Sequence, residues 1–317
     1  MKFATIGHLI DEKSMDFIPK EWAINNMIVS PEKNINGIKG HITGLTLTAR
    51  QMMELPIEQV REKILDTAIF LQEVHEVDLI QLGALTTSVT SGGVWLTQQN
   101  EYKGFVNHGD SYTAAVTCHA VEKALNFYNK EPSKLTLSII GSYGVIGEAV
   151  SKILISKFKK SILIGRRLEK LKELTSKIDG NFQISTDLDT ASADIIVTAT
   201  SHPKALLNPT HLKKNAIIID VSQPPNLSHE VCKLRPDICR IDGGYVEFPV
   251  KHKINIPGIP SGKIFSCIVE VIMQAMENDR NNHVGSIELE HLEKTKNWGR
   301  KYGFVINELT NFGKTIN

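Results

Sequence analysis

The chain has 317 residues, of which 41% are hydrophobic and 22% charged, and its formal net charge is +1 at pH 7. This length is enough to bury more than one hydrophobic core, so two folded domains are expected. The balanced charge argues against broad nucleic-acid binding, which needs a basic excess, and no apolar run approaches the ~20 residues of a membrane-spanning helix.

The first 132 residues mix short strands with two amphipathic helices. Three segments have the apolar pattern of strands: Phe3–Leu9, Lys39–Thr48 and Asp78–Leu85. One helix is predicted to open at Pro56, and a second is predicted to be capped by Asp110 or Ser111. A turn at Glu131–Ser133 ends that helix. We therefore expect an N-terminal α/β domain for the substrate over residues 1–132.

From Leu135 onward, short β-branched strands alternate with helices. The predicted strands are Leu135–Ile140, Ser161–Ile164, a weaker one at Phe182–Ser185, Asp194–Ala199, Ala216–Val221 and Ile238–Ile241. Continuous apolar strands of this kind are typical of a parallel sheet that is covered on both faces. The alternation predicts a Rossmann-type, doubly wound α/β domain over residues 133–262. Residues 263–317 are then expected to form C-terminal helices, at about 263–277 and 286–301.

A glycine-rich turn joins the first of these strands to a helix. It consists of Gly141, Ser142, Tyr143, Gly144, Val145, Ile146 and Gly147. Glycines at this spacing permit a tight turn, close approach of the backbone to a diphosphate, and close packing of helix on strand. Glycines also occur in ordinary loops, but the strand before the turn and the helix after it favour a dinucleotide site.

The second strand ends at Ile164, and Arg166 and Arg167 follow where an NAD-specific enzyme usually has a carboxylate. Arginines at this point can bind a 2′-phosphate, so the predicted cofactor is NADPH. A solvated basic helix start is the alternative. Later strand ends are expected to line the nicotinamide side of the site: Thr198, Ala199, Thr200 and Val221 with Ser222.

Cys267 lies among apolar residues in the helix predicted for 263–277. From composition alone, a small buried core residue is the simpler interpretation. If that helix begins near Ser261, its dipole has little effect on the thiol.

Short segments spread along the whole chain resemble the long-chain acyl-[acyl-carrier-protein] reductases of cyanobacteria. They are Ile6–Leu9, Leu82–Gly83 with Thr86, Thr113–Ala114 leading to Cys118, the glycine turn, Ile219–Asp220, Gly243–Glu247, Phe265–Cys267 with Glu270, and Gly303–Phe304. The segments around Gly243 and Cys267 are the most particular. The resemblance implies that Cys267 accepts the acyl group of a thioester and that hydride from NADPH then releases a fatty aldehyde.

The resemblance leaves the other groups open. Glu270 could order a water or a proton, although an exposed helix carboxylate is the simpler account, and His108 and His119 are possible bases. The acyl substrate is expected to contact Gly83, Thr86, Ser88, Tyr112 and Thr113. Where the family commonly has Asn-Thr-His-Thr, this chain has Asp110–Thr113, so Tyr112 either donates a hydrogen bond in place of the histidine or simply packs.

The implied partners are an acyl carrier protein or acyl-CoA as acyl donor, and an aldehyde-consuming enzyme. An acidic carrier protein would dock on a basic surface, and the lysines and arginines between Lys157 and Lys172 are one such run, although a solvated helix face also explains it. Two alternatives stay open: an alcohol or ketone oxidoreductase resembling shikimate dehydrogenase, with no covalent step, and a non-catalytic NADP(H)-binding partner protein.

Cysteine usage and the N-terminus bear on location. The four cysteines are too sparse for a disulfide framework, and none has the partners of a zinc site, so no metal is predicted. The N-terminal residues lack the apolar core and cleavage site of a secretion signal. We expect a cytoplasmic protein.

Overall fold

The structure is a computed structural model that describes residues 1–9, 11–249 and 259–316. The chain folds into two compact units. Unit 1 contains Met1–Tyr112 and Val246–Val305, and unit 2 contains Thr113–Tyr245 and Ile306–Asn317. The segments expected from the sequence, 1–132, 133–262 and 263–317, divide the chain at other residues, because one helix continues from unit 1 into unit 2 and the C-terminal residues belong to unit 2.

The elements follow in chain order. The strands are β1 (Phe3–Leu9), β2 (Ala23–Ile24), β3 (Met27–Val29), β4 (Lys33–Ile35), β5 (Ile38–Thr48), β6 (Leu79–Leu82), β7 (Phe105–Asn107), β8 (Thr136–Ile140), β9 (Lys160–Ile164), β10 (Phe182–Ser185), β11 (Ile195–Thr198), β12 (Ile217–Asp220), β13 (Cys239–Asp242), β14 (Tyr245–Glu247), β15 (Lys263–Phe265), β16 (Thr310–Asn311) and β17 (Lys314–Thr315). The α-helices are α1 (Ala49–Glu54), α2 (Ile57–His75), α3 (Leu85–Val89), α4 (Val94–Thr97), α5 (Asp110–Phe127), α6 (Val145–Leu154), α7 (Leu168–Thr175), α8 (His229–Leu234), α9 (Ser266–Met276) and α10 (Leu289–Tyr302).

Unit 1 is built on a mixed seven-stranded sheet with the order β2-β3-β5-β1-β6-β7, and β4 also pairs with β5. β5 and β6 flank β1 and run parallel to it. The helix expected after Pro56 is α2, which buries one apolar stripe. The strand expected over 78–85 ends earlier, at Leu82, because Ala84 adopts a positive φ of 53° and the chain turns into α3.

Unit 2 contains six parallel strands in the order β10-β9-β8-β11-β12-β13. This order reverses at β8, as in a doubly wound dinucleotide-binding sheet. The predicted Rossmann-type fold is therefore confirmed. Its central strands are wholly buried because their apolar residues meet covered surface on both faces of the sheet.

The prediction of one helix over 263–277 is wrong at its start. Lys263–Phe265 forms β15, which pairs with β14, and the helix α9 begins only at Ser266. α9 packs on β1 and β6 of unit 1, and eight residues from Ile268 to Ala275 are buried in it. The second predicted C-terminal helix is present as α10. Within residues 1–9, 11–249 and 259–316, every helix is too short or too polar to cross a membrane.

Candidate functional site

The glycine turn of unit 2 has the geometry that a diphosphate needs. Gly141 adopts a φ of 83°, and Gly144 is the N-cap of α6, so first-turn N–H groups of α6 point out of the helix start. A methyl group on residue 147 would overlap the carbonyl oxygen of Gly141. Only a glycine lets α6 lie this close to the turn. A Cβ at this position would therefore change the shape of the turn, and the turn as it stands fits the diphosphate of a dinucleotide.

The predicted 2′-phosphate residues lie beside this turn. β8 and β9 are parallel neighbours with Ile140 opposite Ile164, and the N–H groups of Gly141 and Ser142 donate to the Ile164 carbonyl. Arg166 and Arg167 therefore follow directly beside the turn. Both are exposed, and the Arg167 guanidinium lies 5.5 Å from the centre of the Tyr143 ring.

Only part of the predicted nicotinamide lining is available to a ligand. The Thr198 hydroxyl donates to the buried Asp220 carboxylate at 2.6 Å, so it is committed to the sheet. The Thr200 hydroxyl donates to Asn226 at 2.7 Å. Ala199 and Val221 are half-buried at the ends of β11 and β12. They retain the accessible surface at this edge, where parallel sheets bind ligands.

Cys267 is the second residue of α9, in unit 1. The expectation of a helix starting near Ser261 is wrong, because β15 occupies the preceding residues and α9 starts at Ser266. Cys267 as a residue is partly exposed, while its thiol group is buried. The backbone of Gly109 covers its other side so closely that a Cβ there would lie 2.6 Å from the Cys267 Cβ. The thiol is thus in a first helical turn, where a dipole favours thiolate.

Two carboxylates share this region of unit 1, and they act against that dipole. Burial first, and then the negative charge of Asp110, raises the pKa of the Cys267 thiol to about 12. Burial, followed by the charge of Glu270, raises the pKa of Asp110 well above its usual value. Burial outweighs the helix start, and the thiol is protonated at neutral pH.

The interpretation of Glu270 as an exposed helix carboxylate is wrong. It is fully buried, accepts the Tyr112 N–H at 2.6 Å, and pairs with His291 Nε2 at 3.1 Å. Tyr112 is in the first turn of α5, where N–H groups have no helical partner. Burial alone would raise the pKa of Glu270, but His291, His108 and the Tyr112 N–H hold it below its usual value. Glu270 is an ionised cap for α5.

The two histidines proposed as bases, His108 and His119, differ in burial. His108 is buried, its Nδ1 accepts the Asp110 N–H at 2.9 Å, and burial lowers the pKa of its ring to about 4. It is therefore neutral and a weak base. His119 is exposed on α5.

The expected substrate residues have different surroundings. Gly83 is half-buried, Thr86 is fully buried with its hydroxyl donating to the Ile6 and Gly83 carbonyls, and Ser88 is exposed. Tyr112 is buried and its hydroxyl donates to the Phe304 carbonyl, so it packs in the core and also donates a hydrogen bond within the protein. Thr113 is buried and is the first residue of unit 2.

The sequence reasoning did not identify Asp110 as a group that could take part in the chemistry at Cys267, because a helix-capping role already explained this residue. It also missed Asp279, His283 and His291, whose possible ligand atoms lie within 4.8 Å of one another. The signal was present as an aspartate four residues before a histidine and a second histidine eight residues later, which is not a zinc-finger spacing.

Comparisons with known proteins agree with this geometry at the level of the reaction class. A family model described as shikimate/quinate 5-dehydrogenase matches residues 123–242. The chain is 26% identical over 259 residues to the long-chain acyl-[acyl-carrier-protein] reductase of Synechococcus elongatus, which covers 76% of this chain and 75% of that protein. It is 24% identical over 250 residues to the aminotransferase PigE of a Serratia species, covering 75% of this chain but 29% of that protein.

Among solved structures, the shikimate dehydrogenase of Aquifex aeolicus is 13% identical with a TM-score of 0.41, covering 76% of this chain and 86% of that one. The family match and the first relative make this chain an oxidoreductase with a shikimate-dehydrogenase-like, NAD(P)-binding domain. That coarser part of the prediction is confirmed.

Proposed function

We propose that this protein uses NADPH to reduce a long-chain fatty acyl thioester to a fatty aldehyde through a covalent acyl group on Cys267. The observation that carries the proposal is the position of Cys267, which lies in the first turn of an otherwise buried helix and packs against the backbone of Gly109. The similarity to the acyl-[acyl-carrier-protein] reductase supports the same reaction.

The residues at the end of β8 and β9 fit the cofactor. The N–H groups of the α6 first turn would bind the diphosphate, and Arg166 and Arg167 would bind the 2′-phosphate. When bound, NADPH supplies the hydride that brings the acyl carbon to the oxidation level of an aldehyde.

Cys267 performs the covalent step. Its sulfur attacks the carbonyl carbon of the acyl thioester, a new carbon–sulfur bond forms, and the bond to the donor thiol breaks. The donor thiol leaves with a proton. After reduction, the bond between the acyl carbon and the Cys267 sulfur breaks, the aldehyde departs, and the sulfur takes up one proton from solvent to regenerate the thiol. Exchange between two thioesters is nearly balanced, so a cysteine suits this transfer better than a hydroxyl.

The proton of Cys267 needs an acceptor because the thiol pKa is raised to about 12. We assign this role to Asp110, which directly follows the Gly109 backbone that packs on Cys267. Its raised pKa makes its carboxylate a stronger base than an ordinary aspartate. Glu270 is then a positioning residue, since it holds the first turn of α5 that carries Asp110.

The acyl donor is a thioester of an acyl carrier protein or of coenzyme A, and an aldehyde-consuming enzyme takes the product. Within the basic run from Lys157 to Lys172, Lys157 pairs with Glu122 at 2.8 Å and Lys170 with Glu173 at 2.6 Å. Arg166 and Arg167 are exposed in the same run, but they are assigned to the 2′-phosphate of the cofactor, so this run gives little support to docking of an acidic partner.

The test is to incubate the protein with a long-chain acyl-CoA without NADPH and to measure its intact mass. One acyl adduct should form on Cys267, and adding NADPH should remove it with release of aldehyde. Cys267→Ala should form no adduct and lose at least about a thousandfold in aldehyde formation, as expected when a covalent nucleophile is removed. Cys118→Ala is the matched control and should keep the adduct.

A second candidate is favoured by the family match over residues 123–242. An alcohol or ketone oxidoreductase without a covalent step would keep full activity in Cys267→Ala and would trap no adduct. A non-catalytic partner protein would bind NADPH but turn over no acyl thioester. An adduct that persists on another cysteine in Cys267→Ser would overturn the assignment of the site.

A further inference from the structure

A compact group of metal-binding side chains lies in unit 1, formed by Asp279, His283 and His291. The Asp279 Oδ2 and His283 Nε2 atoms are 2.9 Å apart. The rings of His283 and His291 stack with centroids 3.4 Å apart and planes inclined by 7°. The reductase chemistry above makes no use of this cluster.

The segment that carries Asp279 and His283 is held by hydrogen bonds to its backbone groups. The buried Gln274 of α9 donates to the carbonyls of Asp279 and Asn281 at 3.0 and 2.8 Å. The His283 N–H donates to Val106, and the His283 carbonyl accepts from His108, so residue 283 is added alongside β7. Ligands on a segment held in this way lose little freedom when a cation binds.

The third ligand is oriented by a buried carboxylate. His291 is in the first turn of α10, and its Nε2 lies 3.1 Å from Glu270 Oε1. A carboxylate on one ring nitrogen sets the tautomer and leaves the other nitrogen for a metal, which is the usual outer shell of a metal-bound histidine. The Glu270 side chain is fully buried, and that of His291 is 6% exposed.

The donor set selects the class of cation. Two imidazole nitrogens and one carboxylate oxygen suit zinc and its neighbours in the first transition row, whereas magnesium and calcium prefer oxygen ligands only. The side chains of His283 and Asp279 are 14% and 17% exposed, so both are in contact with solvent, from which an ion and its water ligands would come. The stacked rings of His283 and His291 must rotate before a nitrogen lone pair of each ring can point at one ion. This rotation breaks the hydrogen bond between Asp279 and His283, and bonds from both side chains to the metal replace it.

We propose that Asp279, His283 and His291 bind one divalent transition-metal ion of the zinc class. The ion joins the segment after α9 to the first turn of α10. Through the His291–Glu270 contact it also fixes the carboxylate that caps α5.

The test uses untagged full-length protein that has been treated with a chelator and dialysed, because a histidine tag would bind the same ions. Cobalt(II) is titrated in while visible absorption is recorded, and bound zinc is counted by elemental analysis. One equivalent of either ion should bind per chain, and zinc should displace the cobalt signal. Magnesium should not.

His283→Gln and Asp279→Asn are the informative variants, since each keeps the approximate size of the side chain and a polar group that can form hydrogen bonds. Each should weaken cobalt binding at least tenfold, while His229→Gln, which changes an exposed histidine of unit 2, should not. Circular dichroism and thermal unfolding show whether each variant is folded. Equal cobalt binding by the wild type and a folded His283→Gln would overturn the proposal and leave a hydrogen-bonded cluster only. No acyl donor or NADPH is present, so the result is independent of the reductase function.

Discussion

At the scale of single residues, Cys267 is subject to opposed effects. Its place in the first turn of α9 favours the thiolate, while burial and the nearby Asp110 carboxylate favour the thiol. Burial is the larger effect and sets the protonation state. A helix dipole is worth about 1 kcal/mol or less at most positions, whereas desolvation of a charge is worth several.

The thiol should therefore react slowly at neutral pH and faster in alkali. A raised pKa means that the thiolate fraction keeps rising up to about pH 12, so alkylation of Cys267 by iodoacetamide should rise about tenfold per pH unit between pH 7 and 10. The rate is measured by mass spectrometry of the peptide that contains Cys267. Asp110→Asn removes the negative charge that raises the pKa of the thiol, so it should increase this alkylation rate several-fold at a fixed pH, while it should lower the rate of acyl transfer because the proposed proton acceptor is lost.

An ordinary exposed cysteine gives the contrasting profile. Its rate levels off near pH 9, because its pKa is about 8.5. A plateau of that kind for Cys267 would show that burial does not control the sulfur, and Asp110 would then not be needed as a base.

At the scale of elements, the proposed preference for NADPH rests on the neighbouring strands β8 and β9. Their register places the residues after Ile164 beside the glycine turn. Arg166 and Arg167 stand at this position, where an NAD-specific enzyme usually has a carboxylate. Replacing both by alanine should raise the KM for NADPH about tenfold or more, since charge-assisted hydrogen bonds contribute about 1.5–3 kcal/mol each. The KM for NADH should change by less than about threefold, because NADH lacks the 2′-phosphate.

Steady-state kinetics with both nucleotides measure this preference. Lys170→Ala is a suitable control, since Lys170 lies in the same basic run but pairs with Glu173. An equal loss with NADPH and NADH would show that the arginines support the turn without reading the phosphate.

The strands of unit 2 could be predicted from sequence because each is a short apolar run between turn residues, and their alternation with helices indicates a parallel sheet. The start of α9 could not. Lys263–Phe265 has the apolar spacing of a helix, but it forms β15 because β14 provides a pairing partner that the pattern of these three residues does not reveal. A tertiary contact of this kind overrides local preference.

At the scale of the whole molecule, the chain passes between its units three times and ends in unit 2. Asp242, at the end of β13, holds that last segment. Its carboxylate accepts from Thr310 and Gly313 at 2.8 Å each and pairs with the buried Arg240 at 2.7 Å. The C-terminal hairpin of β16 and β17 thereby joins the Rossmann-type sheet.

Asp242→Ala should reduce the free energy of unfolding by about 3–5 kcal/mol, because it leaves a buried arginine and several donors with fewer acceptors. Denaturant unfolding measures the loss, and hydrogen exchange should increase over residues 306–316. The exposed pair of Glu131 and Lys134 gives the control, since Glu131→Ala removes a surface contact of little worth. A loss no larger than in that control would mean that the hairpin is held by other contacts.

The residues around Cys267 come from three separated parts of the chain, near 108–112, 267–270 and 291. Sequence reasoning identified Cys267 and Glu270 through a family resemblance and identified Asp110 only as a cap. It could not place His291 against Glu270, since no local pattern connects residues 21 apart in different helices. The exposure assumed for Glu270 failed for the same reason.

Gly109 gives a criterion for reading other chains of this type. Any side chain at that position would overlap the backbone and Cβ of the cysteine, so the two residues can only vary together. A homologous sequence that keeps the cysteine but carries alanine at the glycine must shift one of the two backbone segments, so its sulfur cannot occupy the position that Cys267 has in this structure.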